Sequence, residues 1–173
     1  MKNSIASFQN KKEKWVRQWV ETVLSTYPSE SAQFYCDTAD PFSNPVGATV
    51  RSSLSNLYDA LVAPQFNIND ARHALQPIVK LRAVQDFSPS RALGFVYELK
   101  EIVVSGSDIS SEAYMDLSTR IDKAMLVAFD LYMENKKTIY TLRAKQARDT
   151  VRQLLIKKDL ICELPEIDPE LSK

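Results

Sequence analysis

Residues 111–158 read SEAYMDLSTRIDKAMLVAFDLYMENKKTIYTLRAKQARDTVRQLLIKK. Neither glycine nor proline occurs between Ser107 and Leu164, so nothing in this stretch breaks a helix. Its first half carries Tyr114, Leu117, Ile121, Met125, Phe129 and Tyr132, the repeat of one helix face. Its second half carries Tyr140, Ala144, Ala147, Val151 and Leu154, spaced 4-3-4-3 as in a short coiled-coil seam. Between them, Asn135-Lys136-Lys137 is a soft point where a bend is expected. The stretch predicts a long C-terminal helix, capped by Ser110 or Ser111, and the seam predicts a homodimer through it.

The rest of the chain points the same way. Three glycines in 173 residues are too few for the turns of a β-rich protein. Upstream, Trp15, Trp19 and Val23 recur every four residues beside Val16, Val20, Leu24 and Tyr27, giving a first helix that closes at Pro28. Residues 28–44 hold breakers and short polar residues and read as a loop with one helical turn. A second helix starts at Pro45 with Val46, Val50, Leu54, Leu57, Tyr58 and Leu61 inward. A third follows an Asn69 cap and contains Pro77, which removes the partner of the His73 carbonyl and predicts a bend. A fourth, capped by Ser88 with Pro89 in its first turn, runs to Gly106. The fold class is therefore all-α, a bundle of five to six helices with a long last one. Residues 1–158 are expected to form one helical domain, and 159–173 an acidic flexible tail.

Bulk properties exclude several classes. Twenty-two basic and 22 acidic residues cancel, implying neither a nucleic-acid partner nor a membrane one. The longest strictly apolar run, Ala124–Phe129, is far short of the roughly 18 residues of a membrane span. The N-terminus, NSIASFQNKKEKW after Met1 and Lys2, has no leader-like apolar core. Cys36 and Cys162, far apart in sequence, read as unpaired thiols. A cytoplasmic address follows.

Chemistry-bearing residues are sparse. His73 is the one histidine, so a zinc site or serine triad lacks members; it is a candidate haem ligand, although an exposed helix position suits it better. Asp37 and Asp40 share a polar loop, where carboxylates cap turns. Gly47, Gly94 and Gly106 are isolated and form no phosphate cradle. No metal, no cofactor and no enzyme activity are expected.

Two features stand out. Arg82, Gln85, Asp86, Ser88, Pro89 and Arg91 gather at the junction of the third and fourth helices; Arg82 and Asp86, one turn apart, can pair on a helix surface, or Asp86 can sit at the start of the fourth helix, where the dipole favours negative charge. Arg82, Asp86 and Arg91 are candidates for a partner or ligand contact. The second is a basic face: from Lys136 to Lys158 eight basic residues stand against one acid, Asp149. Its candidates are Lys136, Lys137, Arg143, Lys145, Arg148 and Arg152. The segment beyond carries Asp159, Glu163, Glu166, Asp168 and Glu170.

The segments Asp40-Pro41-Phe42-Ser43-Asn44-Pro45-Val46-Gly47 and Arg82-Ala83-Val84-Gln85-Asp86-Phe87-Ser88-Pro89-Ser90-Arg91-Ala92 resemble the N-terminal domain of RsbR-type stressosome co-antagonists, over roughly residues 10 to 150. The resemblance implies an all-α sensory or interaction domain, related to haem-free globin-like sensors. In the co-antagonists such a domain precedes a phosphorylatable domain, for which 173 residues leave no room. The expected function is a non-enzymatic regulatory module that binds a protein partner. The alternative is a carrier of a small molecule or haem-like cofactor between its helices.

Overall fold

The computed structural model describes residues 2–38, 40–85, 87–106 and 109–158, with side chains from Phe8 onward. Among the described residues seven helices follow one another: α1 Lys2–Leu24, α2 Ser29–Asp37, α3 Pro45–Val62, α4 Ile68–Val84, α5 Pro89–Leu93, α6 Phe95–Ser105 and α7 Ser111–Lys157. Among the described residues there is no strand. The all-α class and the long last helix hold. The count exceeds five to six because α2 is a full helix and Gly94 divides α5 from α6.

By internal contacts the chain forms two compact units, Met1–Lys136 and Lys137–Lys173. The division falls at the soft point of α7, where the helix continues without interruption.

In the first unit α3 packs on α4 and α1, and α1 on α6. The α1 stripe is buried as its spacing requires: Trp15, Trp19, Val23 and Leu24 are at most 1% exposed. A buried indole N–H needs an acceptor, and Trp19 Nε1 donates to the Phe95 carbonyl (2.7 Å). The buried Tyr58 hydroxyl donates to the Phe8 carbonyl (2.8 Å). Gly106 closes α6 against Trp15, where a Cβ would come within 2.8 Å of the indole nitrogen.

The last carbonyls of a helix lack intrahelical donors, and three helices here receive them from arginines elsewhere in the chain. Arg51 of α3 donates to the carbonyls of Tyr35, Cys36 and Thr38, at the end of α2 (2.6, 3.2 and 3.2 Å). Arg120 of α7 donates to those of Leu61 and Ala63, at the end of α3 (3.0 and 2.6 Å). Arg82 of α4 and Arg91 of α5 serve the end of α1. A cation there also meets the negative end of the helix dipole.

This explains the first correction. Residues 29–37 are helical where a loop with one turn was expected, because the donors that hold α2 come from Asn44 and Arg51, beyond its own sequence. A second concerns α4, whose cap is Asn67 rather than Asn69: its side chain accepts from the Asn69 N–H (3.0 Å). A third concerns the buried stripe of α7. It is Ala113, Leu117, Ile121, Ala124, Ala128, Leu131 and Tyr132. Phe129, expected inside, is 49% exposed, whereas Ala124 and Ala128 are fully buried.

In the second unit, no described residue from Lys137 to Lys158 is buried. Tyr140, Leu142, Val151 and Leu154 are 55–62% exposed.

Candidate functional site

The first family-like segment builds a corner between α2 and α3. Asn44 is fully buried. Its Oδ1 accepts from the Gly47 N–H (2.8 Å) and its Nδ2 donates to the carbonyls of Tyr35 and Thr38 (2.9 and 2.7 Å). One side chain thus starts α3 and closes α2. Gly47 leaves the space this needs, for a Cβ there would collide with the Asn44 amide and with Arg51 Nη1. Asp40 accepts from the N–H groups of Phe42 and Ser43 and from the Ser43 hydroxyl (3.3, 3.1 and 2.6 Å). These bonds, the Ser43 hydroxyl foremost, hold its carboxyl below its ordinary value. Asp40 caps a turn. Asp37 is exposed at the end of α2, and burial together with Asp37 raises the thiol of Cys36.

The second segment builds a corner between α1, α4 and α5. Arg82, for which the spacing allows a surface position, is fully buried. Its guanidinium donates to the Val23 carbonyl (3.1 Å), the Thr26 hydroxyl (2.7 Å) and the Arg91 carbonyl (3.0 Å). The rings of Tyr27, Phe87 and Phe95 stand 5.3–5.5 Å from it. Asp86 lies outside the described residues. Arg91 is exposed, donates to the Thr26 carbonyl (2.7 Å) and stacks 4.9 Å from Phe87. Ser88 caps α5 with Pro89 in its first turn, as the sequence indicates. Tyr27 completes the corner through a bond to Gln85 (3.0 Å).

Burial lowers the Arg82 guanidinium from its ordinary value, opposed by Tyr27 and Glu98. Burial likewise raises the Glu98 carboxyl, with Arg82 pulling it back. Glu98 Oε2 and Arg82 Nε are buried without a hydrogen-bond partner. Sequence reasoning missed Glu98, which sits in α6 as an ordinary polar position.

Neither corner presents a reactive constellation. Among the described residues no cluster of three or more histidine, cysteine or carboxylate side chains is placed to hold a metal ion. His73 is exposed on α4. An open groove of about 880 Å³ lies between the α3–α4 connection and α7, lined by residues including Phe66, Ile68, Asp70, Lys123 and Leu126. A smaller one of about 310 Å³ lies between α6 and the start of α7, at Val103, Ile109 and Tyr114. His73 lines neither. Among the described residues no helix is long and apolar enough to cross a membrane.

The basic face divides. Lys136 closes the first unit, its ammonium 5.5 Å from the Tyr132 ring. Lys137, Arg143, Lys145 and Arg148 are exposed in the second unit, and Arg152 is half-buried. They share that stretch of helix with the exposed side chains of Tyr140, Val151 and Leu154.

No curated protein and no solved structure matches the chain. The family model described as the RsbT co-antagonist protein rsbRD N-terminal domain matches residues 13–147, and the chain belongs to that family.

Proposed function

From this membership we propose that the chain is a non-enzymatic, stressosome-related regulatory module that works by binding a protein partner through the second unit's helix. The observation that carries the reading is a contrast in how side chains are used. The family motifs are consumed inside the first unit, where Asn44, Arg51 and Arg82 hold helix ends together. In the second unit, apolar and basic side chains alternate around an exposed helix. Water-exposed apolar groups on such a surface are worth most when a partner covers them.

The seam admits either a second copy of the chain, giving a homodimer, or a helix of another protein. At the α4–α5 corner, Arg91 is the residue a partner reaches, because Arg82 is enclosed. A cytoplasmic setting suits a partner of the same regulatory system.

Capture from the native host tests the reading, with the whole chain and its Val151→Lys/Leu154→Lys variant used side by side. A protein retained by the first and lost by the second is expected. Identical sets from both would remove the second unit from partner binding.

A further inference from the structure

The charges flanking the seam discriminate between its two occupants, given the reading that the second unit's helix is an interface. At 100° per residue, Tyr140, Ala144, Ala147, Val151 and Leu154 centre on the direction of Tyr140, within about 40° either side. Arg143 and Lys157 lie about 60° and 100° to one side; Lys137, Arg148 and Arg152 lie about 60°, 80° and 120° to the other. Asp149, the one acid between Lys137 and Lys158, lies about 180° away. Thr141 and Leu155 share the Arg148 side and Thr150 the Arg143 side, so every charged residue on either shoulder is basic, and Lys158 continues the seam line with another cation.

In a paired helix the shoulder residues face those of the partner and set its identity. A second copy aligned in parallel would oppose Arg143 of one chain to Arg148 of the other. An antiparallel copy would still bring no acid to either shoulder. Like charges so placed disfavour the pair, whereas glutamates or aspartates on the shoulders of a different helix would meet every cation. We propose that the seam of residues 140–154 takes an amphipathic helix of another protein, one with an apolar stripe and acidic shoulders, and disfavours a second copy of this chain.

The probe is a synthetic three-heptad peptide with leucines along its stripe and glutamates on both shoulders, compared with the same peptide carrying lysines there. The whole chain should bind the glutamate peptide about tenfold or more tightly than the lysine peptide at low salt, with the preference shrinking as salt rises. Arg143→Glu/Arg148→Glu should invert the preference. In sedimentation the natural chain should remain monomeric, while Arg148→Glu, which would set a glutamate against Arg143 of a parallel copy, should self-associate.

Equal binding of the two peptides would overturn the proposal. So would a natural dimer that Val151→Lys dissociates, since a second copy would then be the occupant. The chain's own acidic segment is a third occupant. If Glu163→Gln/Glu166→Gln/Asp168→Gln/Glu170→Gln tightens peptide binding about tenfold, that segment fills the seam and the proposal fails; unchanged binding supports it. These results are separable from failure of the broader reading. If host capture depends on Val151 and Leu154 while both peptides bind alike, the helix is an interface and its charge reading is wrong.

Discussion

Arginines in the two units do opposite work. In Met1–Lys136, Arg51, Arg82, Arg91 and Arg120 each donate to main-chain carbonyls near the end of a helix that is not their own. In Lys137–Lys173, Arg143 and Arg148 are exposed along a helix with no buried residue through Lys158. The same planar five-donor group serves as an internal clamp in one place and as surface charge in the other. Residue type therefore does not announce role; the acceptors within reach do.

The sharpest way to break that contrast is to remove the most enclosed clamp. Arg82→Ala deprives the Val23 carbonyl, the Thr26 hydroxyl and the Arg91 carbonyl of a donor and leaves a void among three rings. A loss of about 3 kcal/mol or more is expected, from buried polar groups left unmatched and from the cavity. Arg82→Lys should recover only part of it, since an ammonium cannot reproduce the planar fork. Urea denaturation measures both, and a loss below about 1 kcal/mol for the alanine variant would show that this arginine is no clamp.

A smaller effect is expected at the α2–α3 corner. Gly47→Ala pushes a methyl into the Asn44 amide and Arg51 Nη1, two groups already fixed by the end of α2. Overpacking of this kind costs about 1–3 kcal/mol. Thermal melting checks it; an unchanged midpoint would mean that Asn44 and Arg51 move aside freely.

Glu98 sharpens the comparison through pH. Its carboxyl holds a proton more tightly in the folded chain than in the unfolded one. The folded state therefore binds the extra proton, and stability falls as pH rises from the ordinary carboxylate value through the raised one. The contribution is complete below that window and lost above it. Glu98→Gln should flatten this part of the stability–pH curve, by a modest amount because the group is partly solvated. A variant with the full slope would place the titration elsewhere.

The second unit should respond least. Lys145→Glu/Arg148→Glu/Arg152→Glu is expected to change stability by about 0.5 kcal/mol or less, as for surface changes generally, while abolishing capture of a partner at low salt. Calorimetry measures the first and binding to the captured protein the second. Retained binding would reduce the charge run to a solvated face.

What the sequence made legible was local. Pro45 at a helix start, Ser88 before Pro89 and the α1 stripe carry their signals within a few residues, and the structure places them as read. What escaped was non-local. Two acceptors of Arg82, the Val23 carbonyl and the Thr26 hydroxyl, lie 59 and 56 positions away, beyond anything local spacing can indicate. α2 buries no residue and has no periodic stripe to read; its clamp arrives 13–16 residues later from Arg51. On α7, weighting large apolar residues favoured Met125 and Phe129, although Ala124 and Ala128 are the buried pair. The family motifs were visible as patterns, and their meaning as helix-end fasteners was not.

The burial of Trp15 and Trp19 has an optical consequence. They are the chain's two tryptophans, both in α1 and at most 1% exposed. Intrinsic emission therefore monitors the interior of the first unit and carries no indole from the second, whose helix registers in far-ultraviolet dichroism instead. Recording both signals along one denaturant titration dissects the melting of the two units without labels. Coincident curves would mean that they unfold as one, and separated curves that the exposed helix is lost at its own midpoint.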